Sequence, residues 1–337
     1  MNRVSRSIEK SKISFIIPTL NSERLLGNCL KSIRRQDYPQ NKIEILLIDG
    51  GSTDTTKEIG EKYGAVVVVG GYKDNQEARK GVGLHKASGE FVVYVDSDNV
   101  LPTRRWLNQM LAPLLKDPSV VASETWRYGI DEKFGAFSKY CALIGANDPV
   151  VFYLGKCDKL AWFYDKWVYT DILEETKEYV LVKFDDTNMP TMGGNGFMAR
   201  REILLQSLCK PRQFFHIDVV LDIARLGHTK FAMVKNEILH DTAASLPKLL
   251  KRRVTYFNEH NPAHAHRRYL IFNPRKPKDV LNLALFVFFT LTLIQPLLIS
   301  TVGYTKKRDL AWFLHPVVCL GFLYAYAAAT VNLYLKK

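Results

Sequence analysis

Over the first hundred residues, short apolar runs alternate with amphipathic stretches. Ile13 to Thr19 reads as a strand, followed by Asn21-Ser22 as an N-cap and a helix with Leu25, Leu26, Cys29, Leu30 and Ile33 on one face. Ile43 to Asp49 predicts a second strand, which ends in Gly50-Gly51-Ser52-Thr53-Asp54 and leads to a helix reaching about Tyr63. Ala65 to Val69 is a third strand, a helix runs from about Asn75 to Ala87, and Phe91 to Asp96 is a fourth strand. Continuous apolar strands separated by amphipathic helices predict an α/β fold with a mostly parallel sheet and helices on both faces. Ligands on such sheets bind beyond the carboxyl ends of the strands. Thr19, Asp49 and Asp96 all stand at such ends and are expected to converge on one crevice.

From Glu124 to Pro190 the alternation gives way to an irregular stretch rich in aromatics, among them Trp126, Tyr140, Phe152, Tyr153, Trp162 and Tyr169. It reads either as a substrate-facing lobe or as a larger core. Met192-Gly193-Gly194-Asn195-Gly196 predicts a turn where backbone can approach a ligand closely. A helix is expected from about Ile217 to Leu226, then a strand from Phe231 to Leu239 ending in His240-Asp241.

The C-terminal pattern is different. Residues 280–305 and 310–335 carry no Asp, Glu, Lys or Arg, and each run exceeds the roughly 20 residues that cross a hydrocarbon core. Two transmembrane helices follow from this, with a pair of buried helices as the alternative. Gln295-Pro296 can kink the first span or make it re-entrant. Before them, Ser245 to Tyr256 sets Leu246, Leu249, Leu250 and Val254 among basic residues, the pattern of an interfacial helix. The pattern therefore divides the chain into a tail (1–12), two α/β halves (13–124 and 125–244), a basic interfacial segment (245–279) and two spans (280–337).

Charge sharpens this picture. The 337-residue chain carries 47 basic and 34 acidic residues, a net +13 that favours polyanionic partners. Lys248, Lys251, Arg267, Arg268, Arg275 and Lys278 precede the first apolar run, which orients the preceding domain to the cytoplasmic side of an anionic membrane. Met1 to Lys12 is polar and basic, without an apolar signal segment. Cys29, Cys141, Cys157, Cys209 and Cys319 are scattered singly, as in a reducing compartment where they fill core space. His260, His264 and His266 match no common metal-site spacing and read as loop residues.

The strongest chemical signal is Asp96-Ser97-Asp98, directly after the apolar run Phe91 to Val95. Two carboxylates one residue apart at the edge of a sheet offer hard oxygen ligands to a divalent cation that bridges phosphates. Taken in order with Ile17-Pro18-Thr19-Leu20-Asn21-Ser22-Glu23, Asp49-Gly50-Gly51-Ser52-Thr53-Asp54 and a Gly-rich turn before an acidic helix, the triplet resembles the family 2 glycosyltransferases of the Rossmann-like GT-A fold over residues 12 to 245.

That resemblance implies roles. Pro18, Thr19, Glu23 and Asp49 would hold the base and ribose of a nucleotide-sugar, with Ser97 in the same group and Arg79 a basic residue near the nucleotide or a solvated helix-face arginine. Asp54 reads as a helix-start charge. Asp98 would bind Mg²⁺ or Mn²⁺ directly, Asp96 would contact ribose or a metal-bound water, and His240 stands where some members supply a third ligand. Gly193, Gly194 and Asn195 resemble the loop that meets donor sugar or acceptor. The family's acidic pair at a helix start reads Ile217-Asp218 here, so Asp218 is the base candidate, with Asp222 one turn on.

The expected function is an inverting, metal-dependent transfer from a nucleotide-diphosphate sugar to a lipid-linked saccharide, by a multi-pass cell-membrane protein with a cytoplasmic catalytic domain and no nucleic-acid partner. A polyprenyl-phosphate sugar synthase is the alternative of the same class, since an anionic phosphate oxygen needs no base. A catalytically silent nucleotide-sugar-binding scaffold is the alternative of another class. A dinucleotide oxidoreductase would need a glycine-rich loop where Pro18-Thr19-Leu20-Asn21 stands.

Overall fold

The computed structural model describes residues 11–242, 245–260 and 267–335. Most of the expected N-terminal tail, and His264 and His266, lie outside the described residues. The chain forms two compact units that interleave along the sequence. The first takes the residues up to Gly129 together with Thr170–His240, and the second takes Ile130–Tyr169 together with the chain from Asp241.

In the first unit, β1 (Ile13–Thr19), β2 (Ile43–Asp49), β3 (Val66–Val69) and β4 (Phe91–Tyr94) pair in parallel in the order β3-β2-β1-β4. The crossovers are α1 (Glu23–Arg34), α2 (Thr56–Lys62) and α3 (Gln76–Lys86). Every residue of β1 is buried, which is why its sequence is a continuous apolar run rather than an alternation. Helix α3 lies close on the sheet through Gly83, where an added Cβ would stand 2.3 Å from Ile16 Cγ2. The chain steps outward from β1 to β3 and returns on the other side of β1 with β4. Strand order thus reverses between β1 and β4, the place where open α/β sheets hold their ligands.

Beyond β4 the sheet departs from the mostly parallel expectation. β9 (Phe197–Arg200) inserts antiparallel between β4 and β6 (Ala122–Gly129). β10 (Lys230–His240) runs parallel to β6, and β8 (Tyr179–Lys183) and β7 (Ile172–Glu175) finish the sheet antiparallel. The two-residue β5 (Asn99–Val100) pairs antiparallel with the end of β10. Among the described residues the sheet is mixed, with four parallel and five antiparallel pairings. The reason is local. β7 and β8 are joined by three residues, too few for the crossover that a parallel pair requires. Helices α4 (Trp106–Lys116), α7 (Arg201–Leu205) and α8 (His216–Arg225) complete the unit.

The second unit is helical: α5 (Ala136–Ile144), α6 (Pro149–Tyr153), α9 (Leu246–His260), α10 (Pro277–Thr292), α11 (Ile294–Lys306) and α12 (His315–Leu335). Its core joins Tyr140, Ile144, Leu249, Trp312, Val318 and Phe322, with Phe152, Tyr153, Trp162 and Tyr169 packed against them. Most of the mid-chain aromatics are therefore spent on packing, and the substrate-facing option loses them. Buried His315 accepts or donates at Nδ1 with the Tyr140 hydroxyl at 2.8 Å and stacks on Tyr153.

The apolar run over residues 280–305 is bent, as Gln295-Pro296 allowed. α10 and α11 meet at 86°, at Leu293, whose φ is 59°. Pro296 lacks the N–H that would bond the Thr292 carbonyl, and its ring crowds that carbonyl, so the helix breaks one turn upstream. The Thr292 hydroxyl turns back to the Phe288 and Phe289 carbonyls. One helix, Leu310–Asn332, is long and apolar enough to cross a membrane, or two spans if the bent pair counts as one. Leu281, Phe288, Leu291, Ile294, Leu298 and Val317 are each more than half exposed along these helices.

Candidate active site

The turns after β1 and β2 are stitched together. The Asn21 amide donates to the Ser52 hydroxyl and the Asn21 side-chain oxygen accepts from the Thr53 amide, both at 2.9 Å. The Ser22 amide donates to Thr56 Oγ1 at 2.7 Å, and the Glu23 carboxylate accepts from the Thr55 hydroxyl at 2.8 Å. Ser22 caps α1 without a side-chain bond to the helix, because its hydroxyl bonds Ser97 Oγ at 3.2 Å instead. Asp54 accepts from the amides of Glu23 and Thr56, the helix-start role expected for it.

Asp49 is 1% exposed. Its Oδ2 takes the amides of Gly51 and Ser52, and its Oδ1 takes the Ser52 and Thr19 hydroxyls. Burial pushes this carboxyl up, but the four donors outweigh it and hold it below the ordinary carboxylate range. Pro18 lies where the β4 ladder has already ended at Ile16, so its missing N–H breaks no bond on that side.

Arg79 is 4% exposed, not a solvated helix-face residue. Its guanidinium donates to the carbonyls of Tyr72 and Lys73, and its Nε is buried without a hydrogen-bond partner among the described residues. Burial lowers this group below the usual arginine value despite nearby Asp49, Asp96 and Asp74.

The two carboxylates of the Asp96-Ser97-Asp98 triplet have different partners. Asp96 Oδ1 takes Lys80 Nζ at 3.2 Å and the Gln76 amide at 2.8 Å. Asp98 Oδ2 lies 3.4 Å from His240 Nε2. The β5–β10 register sets this second contact, since it pairs His240 with Asn99, the residue after Asp98. Asn99 also accepts the Asp96 amide through its side chain, at 2.8 Å. Among the described residues no cluster of three or more His, Cys, Asp or Glu side chains is arranged around a point a metal could occupy.

Sequence reasoning missed a chain of charges behind the triplet. Lys80, 2% exposed, joins Asp96 to Glu77, whose Oε1 is 3.4 Å away. Burial alone would lower Lys80, but Asp96 and Glu77 raise it above the ordinary lysine value. Glu77 Oε2 takes both the backbone amide of His216, at 2.9 Å, and His216 Nδ1, at 2.7 Å. Burial pushes Glu77 up, yet His216 and Lys80 hold it well below the carboxylate range. The signal was present as Gln76, Glu77 and Lys80 on the first turn of α3, spaced to share one face.

The Gly193–Gly196 turn stands at the end of β4, with the Gly196 amide on the Tyr94 carbonyl at 2.9 Å and the Gly193 amide on the buried Glu124 carboxylate at 3.0 Å. Gly193 and Gly196 have φ of +101° and +71°, which glycine adopts without strain. Asn195 Oδ1 is buried with no hydrogen-bond partner among the described residues. Asp218, on α8, is 1% exposed. The structure thus brings Thr19, Asp49, Arg79, Asp96, Asp98, His240 and the glycine turn to the carboxyl ends of β1, β2 and β4 within one unit.

The family model described as "Glycosyl transferase family 2" matches residues 14–207. Among curated relatives, the poly(ribitol-phosphate) beta-N-acetylglucosaminyltransferase TarS of Staphylococcus aureus (strain Mu50) is 38% identical over 95 residues, 27% of this chain and 17% of the relative. A GalNAc(5)-diNAcBac-PP-undecaprenol beta-1,3-glucosyltransferase of Campylobacter jejuni is 32% identical over 137 residues, 38% of this chain and 41% of the relative. The chain thus spans less than half the length of these relatives. Among solved structures, the mannosyltransferase PcManGT from Pyrobaculum calidifontis, in complex with GDP-Man and Mn2+, aligns with a TM-score of 0.52 at 16% identity, covering 99% of this chain and 94% of that one. That likeness shows the fold, an α/β GT-A-like architecture with a mixed sheet. With more than half of its length under the family match, the chain belongs to glycosyl transferase family 2.

Proposed function

We propose that the chain is an inverting, metal-dependent glycosyltransferase that moves a sugar from a nucleotide-diphosphate donor to a lipid-linked saccharide. Its catalytic unit would face the cytoplasm and its C-terminal helices would enter an anionic membrane. The reading rests foremost on His240 held 3.4 Å from Asp98, beside the Asp96–Lys80 pair, where strand order reverses. Residues 13–124 would hold the donor and residues 125–244 the acceptor. In that assignment Pro18, Thr19, Glu23 and Asp49 border base and ribose, and Asp96, Ser97 and Arg79 complete the donor side.

Asp98 and His240, with Asp96 through water, would hold Mg²⁺ or Mn²⁺. The donor set fits. A carboxylate oxygen and an imidazole nitrogen 3.4 Å apart are close enough to share one ion and leave positions for phosphate oxygens and water. When bound, such an ion offsets the charge gathering on the departing diphosphate. The chain's own residues then bind and orient. Asn195 Oδ1, buried without a partner among the described residues, suits a sugar hydroxyl donor. The acceptor hydroxyl must lose a proton as its oxygen bonds the anomeric carbon. Asp218 and Asp222 are the acids of α8 that could receive it, and the residue taken up below is a third destination.

The lipid-linked acceptor is supported by the exposed apolar side chains of α10 to α12, by Lys248 and Lys251 on α9, and by the undecaprenol-linked acceptor in the name of the Campylobacter relative. The test is the melting temperature of the full chain with UDP or GDP, with and without Mn²⁺. A nucleotide shift that needs Mn²⁺ and disappears in Asp98→Asn is expected; a shift indifferent to Mn²⁺ rejects the metal role. Lipid extraction of labelled product then separates an extended saccharide from a polyprenyl-phosphate sugar, and binding without turnover identifies a silent scaffold.

A further inference from the structure

We infer that His216, oriented by Glu77, is the base that takes the acceptor's proton; this deepens the glycosyl-transfer reading and rests on it. Glu77 stands in the first turn of α3 and His216 opens α8, so the two meet from elements 139 residues apart. One carboxylate oxygen of Glu77 grips both the His216 amide and its Nδ1. That double hold fixes the ring and assigns the proton to Nδ1, which leaves Nε2 as the lone-pair nitrogen. Nε2 has no hydrogen-bond partner among the described residues. It is directed at Gly194 of the glycine turn, where an added Cβ would stand 3.3 Å from it.

A side chain at position 194 would cover the imidazole. Glycine leaves that face open where the turn meets the end of β4. The ring is 17% exposed, whereas Asp218 is 1% exposed and Ile217, where the acid of the pair is replaced, is 4% exposed. The charged groups packed around His216 are Glu77 and, through it, Lys80 on α3, with Glu124 bound to the Gly193 amide of the glycine turn; Asp218, two residues on, points to another side of α8. A histidine held by a carboxylate on one nitrogen and open on the other is the arrangement of a positioned general base.

The step balances. The acceptor oxygen bonds the anomeric carbon, the bond from that carbon to the diphosphate oxygen breaks with its electron pair leaving on the nucleotide, and the hydroxyl proton goes to Nε2. With water as acceptor the same step is donor hydrolysis, which needs no knowledge of the natural acceptor.

The experiment uses the full chain in detergent with Mn²⁺ and UDP-glucose, UDP-N-acetylglucosamine or GDP-mannose, following hydrolysis against pH and donor binding by melting temperature. His216→Ala should bind donor like the parent yet hydrolyse it about a hundredfold or more slowly. Added imidazole should restore part of the rate, and the fall in rate toward acid pH should vanish. Glu77→Gln should slow hydrolysis without weakening donor binding, since the carboxylate no longer fixes the ring. His216→Ala keeps at least a third of the rate, or loses it without imidazole rescue while still binding donor, or keeps the acid limb that Asp218→Asn abolishes: any of these overturns the inference alone. A parent protein that binds donor without cleaving it, or binds none of the three, overturns the glycosyl-transfer reading and this inference with it.

Discussion

Glu77 shows how far one side chain's role can depend on the fold. On the first turn of a helix, a glutamate reads as a solvated charge favouring the macrodipole. In the structure it is held by a histidine from one side and a buried lysine from the other. Its carboxyl is depressed in the folded chain, so its stabilising contribution is present above the unfolded value of about 4.3 and is lost as pH falls through that value toward the folded one. Glu77→Gln should therefore lower the melting temperature at pH 7 and flatten its decline between pH 5 and 3, as read by a thermal scan across that range. Lys80 was illegible for the same reason. A lysine one residue after Arg79 looks solvent-facing until Asp96 arrives from the loop after β4. His240 and Asp98, by contrast, were both named from sequence, yet their contact follows from a two-residue strand that no periodicity could announce.

At the scale of elements, β1, β2 and β4 were readable because buried parallel strands are continuous apolar runs closed by Pro, Asp and Gly. β9 was not, because four residues after a glycine turn carry no period. The break in the apolar tail was legible from Gln295-Pro296, but not its seat at Leu293, since an apolar residue in an apolar run gives no sign. The tight seat of α3 on the sheet is open to test. Gly83→Ala would put a methyl 2.3 Å from Ile16 Cγ2 in a fully buried layer. Overpacking of that kind costs roughly 1–3 kcal/mol, so the urea midpoint should fall with the slope unchanged. An unaltered midpoint would mean the helix can lift from β1 at no cost.

For the whole molecule, composition and pattern located the charge excess and the apolar tail, and membrane association of that tail is a matter for experiment. Flotation of the full chain with vesicles carrying anionic headgroups separates the modes. If α10 to α12 are embedded, association should survive 1 M salt, because apolar burial is insensitive to screening while a purely basic contact is lost. Release by salt would leave only a peripheral contact. The placement of β9 has a further outcome, in the order of synthesis. Both β4 and β6 wait for Phe197–Arg200 as their shared neighbour, so a nascent chain has two bare strand margins until that segment leaves the ribosome. Exposed margins recruit other strands. Pausing or truncation before residue 197 should then favour aggregates, and fragments meant to isolate residues 13–124 should be insoluble unless they run past Arg200.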